Sequence, residues 1–263
     1  MSSGETDLGE LMQFAVDIAR RAGEITLRYY QRRPETHTKD DGSLVTIADC
    51  EAEAYLRRAI AKEFPEDAIL GEEEGETKGS SGRRWIIDPI DGTFAFVHGV
   101  PFYGVLIGVE QDGEPTLGVV NMPALQEILY GANDLGCFYN GSKASVSRTA
   151  RIEDALLLCT DFQACSRYGF GTAANELQTR AKTSRTWGDC YGYVLLATGR
   201  ADIMLDPVMN LWDCAALLPV VEAAGGTFTD WRGIRTVSGG NSIATNGRLY
   251  PEVMRVVDTG ILE

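Results

Sequence analysis

A chain of 263 residues with 44% hydrophobic content is long enough for one large domain or two modest ones around a substantial core. Its 24 basic and 38 acidic residues leave a net charge of −14, which repels nucleic acid and anionic membrane surfaces, so neither is expected as a partner. No apolar run approaches the ~18–20 residues of a membrane-spanning helix, and six scattered cysteines without Cys-x-x-Cys spacing predict reduced, structural thiols rather than a zinc site.

Met1 to Asp7 is short and polar, with neither a basic n-region nor an apolar h-region, and this predicts a cytoplasmic protein. Leu11, Phe14, Ala15, Ile18, Ala22, Ile25 and Tyr29 share one face at helical spacing, so a long amphipathic helix is predicted from Leu8 to Gln31, stopped by Pro34. A polar loop from Glu35 to Ser43 follows. Thr46-Ile47-Ala48-Asp49 reads as a capping box opening a second helix, with Ala52, Tyr55, Leu56, Ala59 and Ile60 on its core face until Pro65. Ala68 to Leu70 is a short strand that ends in Gly71-Glu72-Glu73-Glu74-Gly75. Glu72, next to the strand, is the candidate site residue there, whereas Glu73, Glu74 and Glu76 read as a solvated acidic loop. Thr77 to Gly82 reads as a mobile loop near the site.

Trp85-Ile86-Ile87 is a buried strand that runs directly into Asp88-Pro89-Ile90-Asp91-Gly92-Thr93. Carboxylates taken out of water need a cation, and no Lys or Arg lies between Asp88 and Gly108. Oxygen-only donors then favour a hard divalent ion such as Mg²⁺, Mn²⁺ or Ca²⁺. A strand ending in a turn with capping aspartates is the plainer alternative. The Asp-x-Asp-Gly-Thr motif of haloacid-dehalogenase phosphatases is a poor match, because i and i+2 share a strand face whereas i and i+3 do not.

Downstream, Asp112-Gly113 and Asn133-Asp134 mark hairpin turns between strands Phe102 to Val109 and Thr116 to Asn121, and between Gln126 to Tyr130 and Gly136 to Tyr139. Arg148 to Asp154 is the expected junction between a first half, 1–150, and a second, 151–263. The second half is predicted as strand Leu156 to Thr160, an unassigned polar stretch from Asp161 to Thr183, strand Ser184 to Trp187 and helix Asp189 to Thr198. Strand Asp202 to Leu205, helix Asp213 to Ala224 ending at Gly225-Gly226, strands Thr227 to Thr229 and Ser242 to Ala244, and a helix from Pro251 complete it. The first half is mainly antiparallel, and the whole predicts an α+β fold of stacked layers.

The string Asp88-Pro89-Ile90-Asp91-Gly92-Thr93, with Phe96 and Gly99 after it, closely resembles the first signature of the inositol monophosphatase-like family of metal-dependent phosphatases. Trp212-Asp213-Cys214-Ala215 with Gly225-Gly226, and Gly71-Glu72-Glu73, match two further signatures in the expected order. The resemblance implies an αβαβα sandwich of the inositol monophosphatase and fructose-1,6-bisphosphatase type, a homodimer, and a small phosphate ester as substrate. It also implies two or three Mg²⁺ ions, with Mn²⁺ as a substitute. Glu72, Asp88 and the Ile90 carbonyl would hold one metal, and Asp88, Asp91 and Asp213 a second. Thr93 and Glu72 would orient water, Gly92 and Thr93 N–H groups would bind phosphate oxygens, and Asp49 would lie beside the metals in addition to its cap. Many members carry a basic residue where this chain has Phe94.

Gly188-Asp189-Cys190-Tyr191 looks like the version found in histidinol-phosphate phosphatases of this fold. Asp189 and Asp206 would then present anions to an ammonium and an imidazole, although a helix cap and an Asp-Pro turn explain them equally well. Hydrolysis of L-histidinol phosphate is the leading expectation. Inositol monophosphate or another sugar phosphate, a nucleotide 3′,5′-bisphosphate, and a catalytically silent metal-binding scaffold remain as alternatives. His37, His98, Trp187 and Trp231 are expected in turns or packing rather than in the site.

Overall fold

The computed structural model describes residues 7–39 and 42–261. Helix α1 (Leu8–Leu27) is followed by a hairpin of β1 (Thr36–Thr38) and β2 (Leu44–Thr46), and then by α2 (Ile47–Glu63). Strands β3 (Ala68–Gly71), β4 (Gly75–Thr77), β5 (Arg83–Asp91), β6 (Gly104–Gln111), β7 (Glu114–Met122), β8 (Glu127–Ala132), β9 (Gly136–Tyr139) and β10 (Ser142–Ala144) form one sheet in the order β10-β9-β8-β7-β6-β5-β3-β4. Only the β3–β5 pair in it is parallel. A short helix, α3 (Thr93–Val97), follows β5.

The second sheet runs β12-β11-β13-β15-β14, from β11 (Leu156–Cys159), β12 (Thr183–Arg185), β13 (Ile203–Asp206), β14 (Thr227–Thr229) and β15 (Ser242–Thr245). Helices α4 (Phe162–Arg167), α5 (Gly171–Arg180), α6 (Asp189–Ala197), α7 (Leu211–Ala223) and α8 (Tyr250–Ile261) complete the described chain.

Strand alternation sorts these elements into layers. On one face of the large sheet, Val105, Ile107, Leu117 and Val119 pack against Ala15, Ile18 and Ala22 of α1 and Ala52, Leu56 and Ile60 of α2. On the other, Leu106, Val120 and Leu129 meet Tyr193 and Val194 of α6 and Leu217 and Val220 of α7, which also cover Met204, Phe228 and Ala244 of the small sheet. The far face of that sheet packs Leu157, Ile203 and Ile243 against α5 and α8. The result is the αβαβα sandwich that the resemblance implied, with α6 and α7 as its middle layer.

Local chemistry accounts for many boundaries. The Asp112-Gly113 turn has both residues at positive φ, as a tight two-residue hairpin requires. Thr46 and Asp49 form the anticipated capping box. Three expectations need correction, and one unassigned stretch is resolved. The first helix stops at Leu27 rather than Gln31, because Tyr30 turns inward to donate its hydroxyl to the Gly99 carbonyl (2.6 Å) and packs on Tyr103. The loop from Glu35 contains β1. The polar stretch from Asp161 to Thr183 holds α4 and α5, whose apolar stripe is narrow, with Ala173, Ala174 and Leu177 buried on α5.

The third correction concerns Thr77 to Gly82. Ser80 and Ser81 donate backbone N–H groups to the Glu66 carbonyl, and Ser81 Oγ reaches Asp67 at 2.7 Å. This loop is pinned at the N-terminal end of β3 and β5, opposite the Asp88–Asp91 end.

Helix α7 lies unusually close to the large sheet. A Cβ on Gly118 would come within 2.0 Å of the Ala216 carbonyl oxygen, and one on Gly108 within 2.5 Å of the Ala215 carbonyl carbon. Both contacts are to backbone, so a side chain can be admitted only by moving the helix. Gly118→Ala should therefore cost about 1–3 kcal/mol and lower the thermal midpoint by several degrees; an unchanged midpoint would show that α7 has slack.

Candidate active site

Asp88 and Asp91 are brought together by an irregularity in β5. Asp88 pairs with Leu106 of β6, but Asp91 pairs with Gly104, so three steps on β5 match two on β6. This bulge brings to one side two carboxylates that a regular strand would point to opposite faces. Asp213, on the first turn of α7, completes the group: one carboxylate oxygen from each of Asp88, Asp91 and Asp213 lies within 4.8 Å of the others.

Backbone donors hold each member. Ile90 N–H donates to Asp88 Oδ1 (2.9 Å), Cys190 N–H to Asp91 Oδ2 (2.6 Å) and Asn210 N–H to Asp213 Oδ2 (2.7 Å). These bonds do not offset desolvation and mutual repulsion. Burial, followed by the charges of Glu72, Asp91 and Asp213, holds the Asp88 carboxyl well above its ordinary range. Burial raises Asp91 and Asp213 as well.

Glu72 stands at the turn after β3. Its Oε1 accepts from Lys39 Nζ at 2.8 Å, and Glu73 Oε1 accepts from the same ammonium at 2.8 Å. Glu73 is thus not the solvated loop residue expected, for burial pushes its carboxyl up to about 7 against the opposing effect of Lys39. Glu53 of α2 shapes this turn. It is fully buried and accepts N–H bonds from Glu73 (2.8 Å) and Glu74 (2.9 Å) while pairing with Arg57 at 2.8 Å. Sequence reasoning missed both Lys39 and Glu53. The available signal for Glu53 was an acid on the apolar face of α2, beside Ala52 and Leu56.

Asp49 caps α2 through Oδ2, which takes Thr46 N–H (2.8 Å) and Oγ1 (2.6 Å). Its Oδ1 is buried with no hydrogen-bond partner among the described residues. Burial, partly countered by Thr46, pushes this carboxyl up to about 6. Thr93 donates its hydroxyl to the Ile90 carbonyl at 3.0 Å, and Gly92 sits between them in the left-handed conformation.

A cavity of about 300 Å³ is lined by Glu72, Asp88, Ile90, Asp91, Gly92, Thr93, Asp189 and Asp213, together with Phe94, Asn210, Trp212 and the Gly42–Leu44 arm of the β1–β2 hairpin. Asp189 is the first residue of α6 and caps nothing. Its Oδ2 lies 3.2 Å from where a Cβ on Gly92 would sit, and burial, then Asp91, raises its carboxyl to about 7. Asp206 requires a correction. It does not line the cavity but is buried at the end of β13, accepting the Tyr193 hydroxyl at 2.8 Å, while its carbonyl takes the Trp231 indole N–H at 3.0 Å. Phe94 is 70% exposed at the rim with His98 against its ring; His37 is exposed on β1, and Trp231 is core.

Residues 7–261 match the inositol monophosphatase family. The chain belongs to that family. It is 42% identical to a histidinol-phosphatase of Chlorobaculum parvum, covering 95% of this chain and 97% of that protein, and 37% identical to one of Mycobacterium tuberculosis, covering 95% and 98%. It superposes on an inositol monophosphatase from Zymomonas mobilis with a TM-score of 0.86 at 31% identity, covering 97% and 100% of the two chains. Membership makes the chain a phosphoric monoester hydrolase. No helix among the described residues is long and apolar enough to cross a membrane.

The family is metal-dependent, and the residues fit that requirement. The converging donors are all oxygens, the carboxylates are held above their ordinary range, and the orphaned Asp49 Oδ1 belongs to a group whose charge acts on Asp88. Such a set could hold a hard divalent cation.

These shifts predict how metal and pH are linked. A carboxyl held above its unfolded value binds protons more tightly in the folded state, so its contribution is full below the ordinary carboxylate range. That contribution is lost as pH rises through the folded values, about 6 for Asp49 and about 7 for Asp189 and Glu73. The metal-free protein should be less stable at pH 8 than at pH 5.5, and Mg²⁺ should stabilise it more at the higher pH. Urea midpoints in EDTA and in Mg²⁺ at both pH values read this out; equal stabilisation at both would refute the account.

Proposed function

We propose that this chain hydrolyses L-histidinol phosphate to L-histidinol, as a step of histidine biosynthesis, using two or three Mg²⁺ ions or Mn²⁺ in their place. The observation that carries the reading is Asp189, a carboxylate set into the cavity wall beside the Asp88–Asp91–Asp213 cluster but outside it. An additional anion facing the same small cavity suits an ester whose alcohol half is cationic. The two histidinol-phosphatases to which the chain is similar support this choice.

Glu72, Asp88 and the Ile90 carbonyl would hold one ion, and Asp88, Asp91 and Asp213 another. Divalent ions at such a site neutralise phosphate charge, activate water and stabilise the leaving oxygen. Thr93, whose hydroxyl is already oriented by the Ile90 carbonyl, orients the attacking water together with Glu72. The Gly92 and Thr93 N–H groups receive phosphate oxygens, and Asp189 receives the ammonium of the alcohol. Asp49 holds the start of α2 beside the cluster. The homodimer implied by the resemblance is the expected assembly.

A second reading, an inositol or general sugar-phosphate phosphatase, draws on the similarity to the Zymomonas mobilis structure. Initial-rate kinetics on L-histidinol phosphate, myo-inositol 1-phosphate, fructose 1,6-bisphosphate and adenosine 3′,5′-bisphosphate separate the two. A preference of at least about a hundredfold in kcat/KM, roughly 2.7 kcal/mol, is expected for histidinol phosphate, and comparable rates would favour the second reading. Asp91→Asn should be folded but nearly inactive; full activity in that variant would overturn the assignment of the metal ligands.

A further inference from the structure

Asp189 holds an unusual place in the backbone. It is a non-glycine residue at φ +49°, in the left-handed region, and it opens α6 with no side-chain cap before it. A residue at this position has an N–H that the helix itself cannot satisfy. Thr160, immediately after β11, supplies the partner: its Oγ1 accepts the Asp189 N–H at 3.0 Å. The preceding Gly188 lies flat against the same threonine, since a Cβ there would come within 2.4 Å of Thr160 Cα and 2.5 Å of Oγ1. The start of α6 is therefore seated on two side chains, Thr160 at the Asp189 N–H and Asp91 at the Cys190 N–H.

Thr160 is itself fixed from behind: its backbone N–H donates to the Leu205 carbonyl of β13 at 3.3 Å. The next residue, Asp206, is buried and accepts the Tyr193 hydroxyl at 2.8 Å, with Ser242 on the same hydroxyl. A threonine hydroxyl has one hydrogen and two lone pairs, and one of those lone pairs takes the Asp189 N–H.

We propose that Thr160 is a specificity-setting positioning residue: its hydroxyl holds the left-handed turn that keeps the Asp189 carboxylate in the cavity wall beside Gly92. The inference rests on the reading that Asp189 faces the substrate ammonium.

The test is steady-state kinetics in saturating Mg²⁺ on L-histidinol phosphate and myo-inositol 1-phosphate. The proteins are wild type, Thr160→Val, which keeps the shape and removes the hydroxyl, and Thr160→Ser, which keeps the hydroxyl. Thr160→Val should raise KM for histidinol phosphate about tenfold, equivalent to about 1.4 kcal/mol, with kcat and both constants for the polyol ester within about twofold of wild type. Thr160→Ser should restore the KM. A purely structural role would move both esters together, and that result, or no change in either, overturns the proposal. Should the valine protein not fold, Thr160→Ala reads the same split. Asp189→Asn separates the two levels: if it leaves the substrate preference intact, the reading of Asp189 fails and the proposal with it. If it abolishes the preference while Thr160→Val does not, the positioning role alone fails.

Discussion

The crowding of like charge at the end of β5 is the constraint on which the site depends. Asp88, Asp91 and Asp213 bring oxygens within 4.8 Å of one another in a partly dehydrated cavity. Carboxylates so placed repel and are poorly solvated, and each stays only because the structure around it leaves no alternative. The bulge fixes Asp88 against Asp91, and α7, seated on Gly108 and Gly118 without an intervening side chain, fixes Asp213 against both. The energy stored in this arrangement is what a divalent cation would relieve. Folding into the sandwich and readiness for metal are thus one problem, solved by the middle helical layer.

Charge compensation differs across the cavity. On the Asp88–Asp91–Asp213 side, the protein offers backbone N–H donors from Ile90, Cys190 and Asn210, which orient carboxylates without neutralising them. On the Glu72 side it offers Lys39, a full positive charge carried by the β1–β2 hairpin. Burial by itself would push that ammonium down, but its bonds to Glu72 and Glu73 hold it above its ordinary value. Glu53 and Arg57 fix the acidic turn from the opposite side, so that Glu72 is presented by a rigid frame.

A sequence of acids also leads from the cavity into the core. Asp91 and Asp189 face the cavity, whereas Asp206 is buried and accepts the Tyr193 hydroxyl. The same residue type does different work according to its partners: Asp91 belongs to the cluster, Asp189 faces the cavity from outside it, and Asp206 is tied into the core by Tyr193.

Much of this was legible in the sequence because it is local. Helical spacing in α1 and α2, the Thr46–Asp49 box, the Asp112-Gly113 turn and the anionic end of β5 depend on residues a few positions apart, and the family signatures lie in such short strings. Tertiary structure alone decided what depends on distant partners. Asp88 and Asp91, three apart, share a side only because β6 pairs with a bulged strand. Lys39 meets Glu72 across 33 residues, and no spacing rule reaches that far. Whether Asp189 or Asp206 would face the cavity could not be read from two similar turn-like contexts. That choice was made by Tyr193, which holds one carboxylate in the core, and by Thr160 and Gly92, which leave the other at the wall.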